Sequence, residues 1–137
     1  MTFDVCVIGH VTTDFLEIDG KTKTAMPGGT AFYTSMALRS LGLNVAVITR
    51  LSDEDRAMLL GGLETAGIQV FAGESRQTTV FDNIYSRDNV DSPFQRVRSV
   101  ASPFSFEDLA GRVAAYLAPL KLERFGALQE SNVNWRT

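Results

Sequence analysis

The sequence predicts an α/β fold: a core sheet flanked by helices, with a small antiparallel β piece outside it. Three observations carry this. Apolar, β-branched runs at residues 4–11, 44–51 and 68–71 have the continuous character of strands buried on both faces of a parallel sheet. Segments at 30–41 and 53–66 repeat apolar residues at helical spacing. Segments at 78–85 and 95–101 mix apolar and polar positions, as half-exposed strands do.

Each element follows from local chemistry. After the first strand only Gly9 is present, so the Gly-x-Gly-x-x-Gly turn of a dinucleotide fold is missing. The chain alternates loosely from Asp14 and reaches Asp19-Gly20, a hairpin turn signal. Pro27-Gly28-Gly29 then opens a helix with Ala31, Phe32, Ser35, Met36, Leu38 and Leu41 on its apolar stripe, and Gly42 fits its C′ position. Ser52 and Asp55 have the spacing of an N-cap and its N3 partner, and the acids at 53–55 suit a helix start better than a Mg²⁺ site. Leu59, Leu60, Leu63 and Ala66 form that helix's buried face, and Gly67 ends it. Residues 87–93 read as a polar turn region between two half-exposed strands. Arg96 and Arg98 share a strand face, which reads as solvated although it could meet phosphate. A further helical stretch runs from Ser105 through Leu109, Val113, Ala114 and Leu117, and the pattern weakens past Pro119.

The totals exclude several function classes. At 137 residues the chain fits one domain able to bury roughly two-thirds of its unfolded surface. A net charge of −3 without a basic stripe argues against nucleic acid or an anionic membrane as main partner. No apolar run reaches membrane-spanning length, and the start lacks the features of a secretory signal. Cys6 is the only cysteine, which rules out an intrachain disulfide, and it reads as a small buried hydrophobe. A cytoplasmic protein fits these features. His10 is the only histidine and reads as structural, because it lacks the companions of a catalytic base.

The most chemically loaded stretch is the glycine pair. Gly28-Gly29 at a helix start allows φ > 0 and close approach of a ligand to backbone N–H groups. A turn that merely needs glycine is the plain alternative.

In this order the residues resemble the ribokinase-like (PfkB) carbohydrate kinases over roughly residues 4 to 120. Residues 4–14 resemble that family's first strand and the acid after it. Residues 27–42 resemble its glycine-pair helix, and 51–55 its acidic loop. Gly67-Ile68 resembles its helix-to-strand turn, and Thr78-Thr79 with the strands beyond resembles its lid. The resemblance implies a partial ribokinase-like (Rossmann-like) core sheet at 1–120, with lid strands at about 13–26 and 78–101, and a weakly patterned tail at 121–137. It also implies ATP-dependent phosphoryl transfer to a sugar or polyol hydroxyl. Asp14 would accept hydrogen bonds from substrate hydroxyls, and Gly28 and Gly29 would let the substrate lie against the backbone. Tyr33, a candidate substrate contact, stands where the family has an Asn, and the Gly-Gly-x-x-x-aromatic form with Thr79-Val80-Phe81 resembles the inositol kinase branch. ATP and Mg²⁺ are expected for a full-length family member. The family's Gly-Ala-Gly-Asp-type and Asn-x-x-Glu motifs do not occur in this sequence, so no catalytic residue and no metal ligand is expected in it. The expectation is therefore a substrate-binding N-terminal half, from truncation or a changed reading frame, inactive alone and marginally stable or self-associating. The alternative is a non-catalytic small-molecule-binding module, or one that forms a homodimer through its lid strands or an exposed sheet edge.

Overall fold

In the computed structural model, residues 2–22 and 24–110 are described. The expected helix beyond residue 110 and the tail at 121–137 lie outside them. In order the elements are β1 (Val5–Ile8), β2 (Thr12–Ile18), β3 (Lys21–Thr22), β4 (Met26–Gly28), α1 (Thr30–Ser40) and β5 (Val45–Leu51). A 3-10 turn at Asp53–Asp55 leads into α2 (Arg56–Thr65), followed by β6 (Gln69–Glu74), β7 (Val80–Ser86), β8 (Asn89–Ser99) and α3 (Phe106–Ala110).

Two sheets result. The first is parallel, in the order β1-β5-β6, with Val5 opposite Val45 and Val47 opposite Val70. Of the three runs that the sequence marks as buried on both faces, only the central strand β5 is so; β1 and β6, each paired on one side, are mostly half-buried. Val45, Val47 and Leu51 pack on one side with Leu59, Leu60 and Leu63 of α2 and Ala31 of α1. Ala46 and Ile48 pack on the other with Phe3, Phe71 and Phe104. Each fully buried aliphatic chain contributes about 1.5–3 kcal/mol. Both helices therefore cover the same sheet face. Gly42, at φ 84°, ends α1, and the Arg39 guanidinium ties the ends of the two helices by donating to the carbonyls of Leu43 and Ala66.

The second sheet has the order β3-β2-β7-β8, with β4 also paired to β2. The expected antiparallel piece is there: β2 with β3, β2 with β4, and β7 with β8. At its centre β2 and β7 run parallel, Asp14 opposite Phe81 and Ile18 opposite Tyr85. The Asp19-Gly20 turn forms as expected, with φ of 50° and 76°.

Two local expectations change. Residues 89–93 are strand, not turn; only Arg87 and Asp88 make the connection. Proline is tolerated at position 93 because β8 is an edge strand, paired on one side only. The capping pair also does not form. Ser52 makes no side-chain cap. Instead Thr78 donates its hydroxyl to Asp55 and accepts the Ser52 N–H, so the acidic turn is spent on joining the core to the start of β7.

α3 is anchored by charge. Arg50, at the end of β5, makes a two-pronged ion pair to Asp108 at 2.9 and 3.0 Å. Burial opposes the Asp108 charge, yet the Ser105 N–H and the Arg50 guanidinium outweigh it and hold the carboxyl below its usual range. Among the described residues no helix is long and apolar enough to cross a membrane.

Candidate functional site

The two sheets meet where β1 gives way to β2. There a cleft of about 490 Å³ opens, lined by His10, Asp14, Gly29 and Thr30 together with Phe81 and Gln95 of β7 and β8. Strand register explains the lining. Asp14 lies opposite Phe81, and Asn83 lies opposite Gln95, so alternation sets these side chains on one face of the second sheet.

Asp14 is half-buried, and its Oδ1 accepts the Thr12 hydroxyl at 2.6 Å. Gly28 explains how it fits. A Cβ at Gly28 would lie 2.3 Å from Asp14 Oδ2, so the carboxylate occupies the space that glycine leaves empty. Gly29 has φ +88°, and a Cβ there would sit 2.6 Å from the His10 carbonyl oxygen. The pair is thus required by two neighbours within the chain, as well as by the sharp entry into α1. Gly29, Thr30 and Ala31, at the N-terminal end of α1, all line the cleft, so its unpaired N–H groups and positive dipole end border it.

The structure brings together three of the four residues marked from sequence: Asp14, Gly28 and Gly29. Tyr33 lies outside the cleft lining. It is 57% exposed, and its ring meets Phe32 edge-on at 5.4 Å. Sequence reasoning missed Thr12 and Gln95, marked Thr79 and Phe81 only by their resemblance to the lid and to the inositol kinase branch, and gave His10 no place at the cleft. The alternation of β7 and β8 was visible, but the parallel pairing that sets Phe81 beside Asp14 left no local signal.

The arginine pair is held by an acid of its own sheet. Arg96 and Arg98 both bond Asp82, at 2.8 and 2.7 Å, and the Arg98 guanidinium lies 4.4 Å over the Phe15 ring. The Arg98 hydrogen bond, against an opposing effect of burial and with help from Arg96, holds the Asp82 carboxyl below its usual range. Among the described residues no group of three His, Cys, Asp or Glu side chains converges, and Asp55 of the acidic turn is bonded to Thr78.

With this geometry in view, the likenesses to solved structures can be placed. No family model matches the sequence, and no curated protein matches it. A pyrophosphate-dependent kinase in the ribokinase family, solved as a sulfate complex, matches with 32% identity and a TM-score of 0.69, over 77% of this chain and 36% of its own. A pyrophosphate-dependent kinase of that family complexed with a pyrophosphate analogue and myo-inositol matches at 31% identity and a TM-score of 0.67, over 77% and 35%. Halothermothrix orenii fructokinase, at 22% identity and a TM-score of 0.61 over 72% and 38%, shares the fold. The chain thus has a kinase-like α/β fold. More particularly, it carries part of the ribokinase fold, and it spans about a third of the length of the structures it matches, a share that fits their N-terminal portion.

Proposed function

We propose that this chain is the acceptor-binding part of a polyol kinase, with an inositol-like cyclitol as its acceptor. The observation that carries the reading is the Asp14 carboxylate, seated at the wall of the cleft in the space left by Gly28, beside the start of α1. An ionised carboxylate accepts several hydroxyl hydrogens at once, which suits a ring with a hydroxyl on every carbon. The N–H groups at the start of α1 donate to the oxygens of the same ring. The second sheet, spanning the lid strands marked at about 13–26 and 78–101, closes over the acceptor through Phe81 and Gln95 and excludes water. The myo-inositol complex of a 31% identical kinase supports the cyclitol class. Tyr33, exposed on the first turn of α1, is the remaining candidate acceptor contact.

The donor is a phosphoanhydride. ATP with Mg²⁺ is the family expectation, and pyrophosphate is the donor of the two kinases at 31 and 32% identity. The family's Gly-Ala-Gly-Asp-type and Asn-x-x-Glu motifs do not occur in this sequence, so the part proposed for this chain is to bind and orient the acceptor.

Titration of the isotope-labelled chain with myo-inositol tests this. Amide signals of Asp14, Gly29, Thr30 and Gln95 should shift together, and Asp14→Asn should weaken binding by about tenfold or more. Tyr33→Phe reports whether the phenol takes part. No shift with any cyclitol, sugar or open-chain polyol would sink the reading.

A second reading rests on a separate observation. Edge strand β8 exposes Phe94 and Val97, which are 64% and 52% accessible. Pairing of two copies along this edge would bury them. Light scattering across concentration decides it: a monomer throughout rules out the homodimer.

A further inference from the structure

We propose that His10 is the positioning residue of the lid, with one imidazole fixing the strand that enters it and the strand that leaves it. His10 sits in the cleft lining, between β1 and β2. Its Nδ1 lies 3.1 Å from the Thr79 hydroxyl, just before β7. Its Nε2 lies 3.0 Å from the Ser102 carbonyl oxygen, just after β8. Its ring stacks on Phe104 at 4.7 Å.

With one proton on the ring, the donors and acceptors close in one way. A carbonyl oxygen only accepts, so the proton sits on Nε2. The Thr79 Oγ1 receives the Ala101 N–H at 2.9 Å, so its own hydrogen is free to go to Nδ1. The chain of bonds then runs from Ala101 N–H to Thr79 Oγ1–H to Nδ1, and from Nε2–H to Ser102. The same Thr79 accepts the Thr13 N–H through its carbonyl at 3.0 Å, which begins the β2–β7 ladder. A single ring therefore sets both roots of the sheet that carries Asp14, Phe81 and Gln95 on one face. The backbone of His10 completes the junction, since its carbonyl abuts Gly29.

This inference rests on the proposed function only in treating the second sheet as a lid over an acceptor. Its test needs no acceptor, so the two can fail separately. His10 is the chain's only histidine, and nitrogen-15 spectra of the full chain therefore report one imidazole. The expected signature is a neutral ring protonated at Nε2 with Nδ1 accepting; a ring protonated at Nδ1, or one averaging between tautomers, overturns the proposal. His10→Phe keeps the stack on Phe104 and deletes both nitrogens. Amide hydrogen exchange in β7 and β8 should then quicken by about tenfold, with β5 and β6 unchanged. Equal loss of protection in both sheets would mark a merely structural residue, and unchanged protection in β7 and β8 would remove the role. Thr79→Val, which deletes only the hydroxyl, gives the same readout if His10→Phe does not fold.

Discussion

The two sheets are built from different chemistry. The parallel sheet is held by apolar burial, and its central strand is buried at every position but Arg50. The second sheet has half-exposed or exposed positions along most of its length. Its stability rests on placed polar groups: Asp82 between two arginines, Thr78 on Asp55, and His10 between Thr79 and Ser102. Apolar packing is non-directional and yields a rigid slab. A hydrogen-bonded sheet with water on its surface opens locally at lower free energy. One half of the molecule is suited to hold a fixed wall, and the other to move against it.

Four measurements can break or sharpen this contrast. The largest effect belongs to the first sheet. Leu63→Ala should cost about 2–5 kcal/mol in denaturant unfolding and loosen both sheets, because α2 covers the core face on which everything else stands. If only one sheet loosened, the division proposed here would be wrong.

Next is the junction. Gly28→Ala drives a Cβ into the Asp14 carboxylate. It should match Asp14→Asn in loss of cyclitol binding, about 1.5–3 kcal/mol, while leaving exchange in β5 intact. Full binding by Gly28→Ala would separate the glycine from the acid.

Thr13 offers a smaller effect of opposite sign. Its Oγ1 is a buried side-chain atom without a hydrogen-bond partner. Thr13→Val keeps the β-branched shape and removes the orphan hydroxyl, so it should raise stability by about 1 kcal/mol. A loss instead would show that the hydroxyl is satisfied.

The gentlest probe is acid. The Asp82 carboxyl is held below its ordinary range in the folded chain. Its contribution is thus complete above the unfolded value of about 3.9 and is lost as pH falls through the folded value. Exchange in β7 and β8 should quicken over that acid limb before β5 responds, and Asp82→Asn should flatten the difference. Cys6 gives a control on the other sheet. Burial pushes its thiol up to about 11, so alkylation near neutral pH should be slow until the core unfolds.

The same contrast explains what could be read in advance. Residues 45–51 announce a buried strand by composition alone, and Asp19-Gly20 and Gly42 mark their turns because only certain residues accept those dihedrals. The Asp14 and glycine-pair residues of the candidate site were legible one by one. Their contact was not, because it depends on β4 folding back beside β2 with Thr12 opposite Gly28. The fate of Asp55 was hidden because its partner, Thr78, is distant in sequence, and the strand status of residues 89–93 because their polar composition resembles a turn although they pair locally with β7 across Arg87 and Asp88. Tyr33 was marked by its place in a motif, and a helix start can turn such a residue outward without altering the motif.

The parallel pairing of β2 and β7 has a mechanical consequence. Both strands leave the cleft in the same direction, so their far ends lie together. There the Arg87 guanidinium and N–H grip the Asp19 carboxylate, each at 3.0 Å, and the Asp19 N–H reaches the Tyr85 carbonyl. The sheet is a cantilever with a laced tip. With seven residues in β2, its arm is about 23 Å long at ~3.3 Å per residue. A rotation of about 10° at the root would therefore sweep the tip through about 4 Å on that arm. Small changes in bonding at the root would be magnified at the far end, while Asp14 and its neighbour Phe81, near the root, travelled only a fraction of that distance.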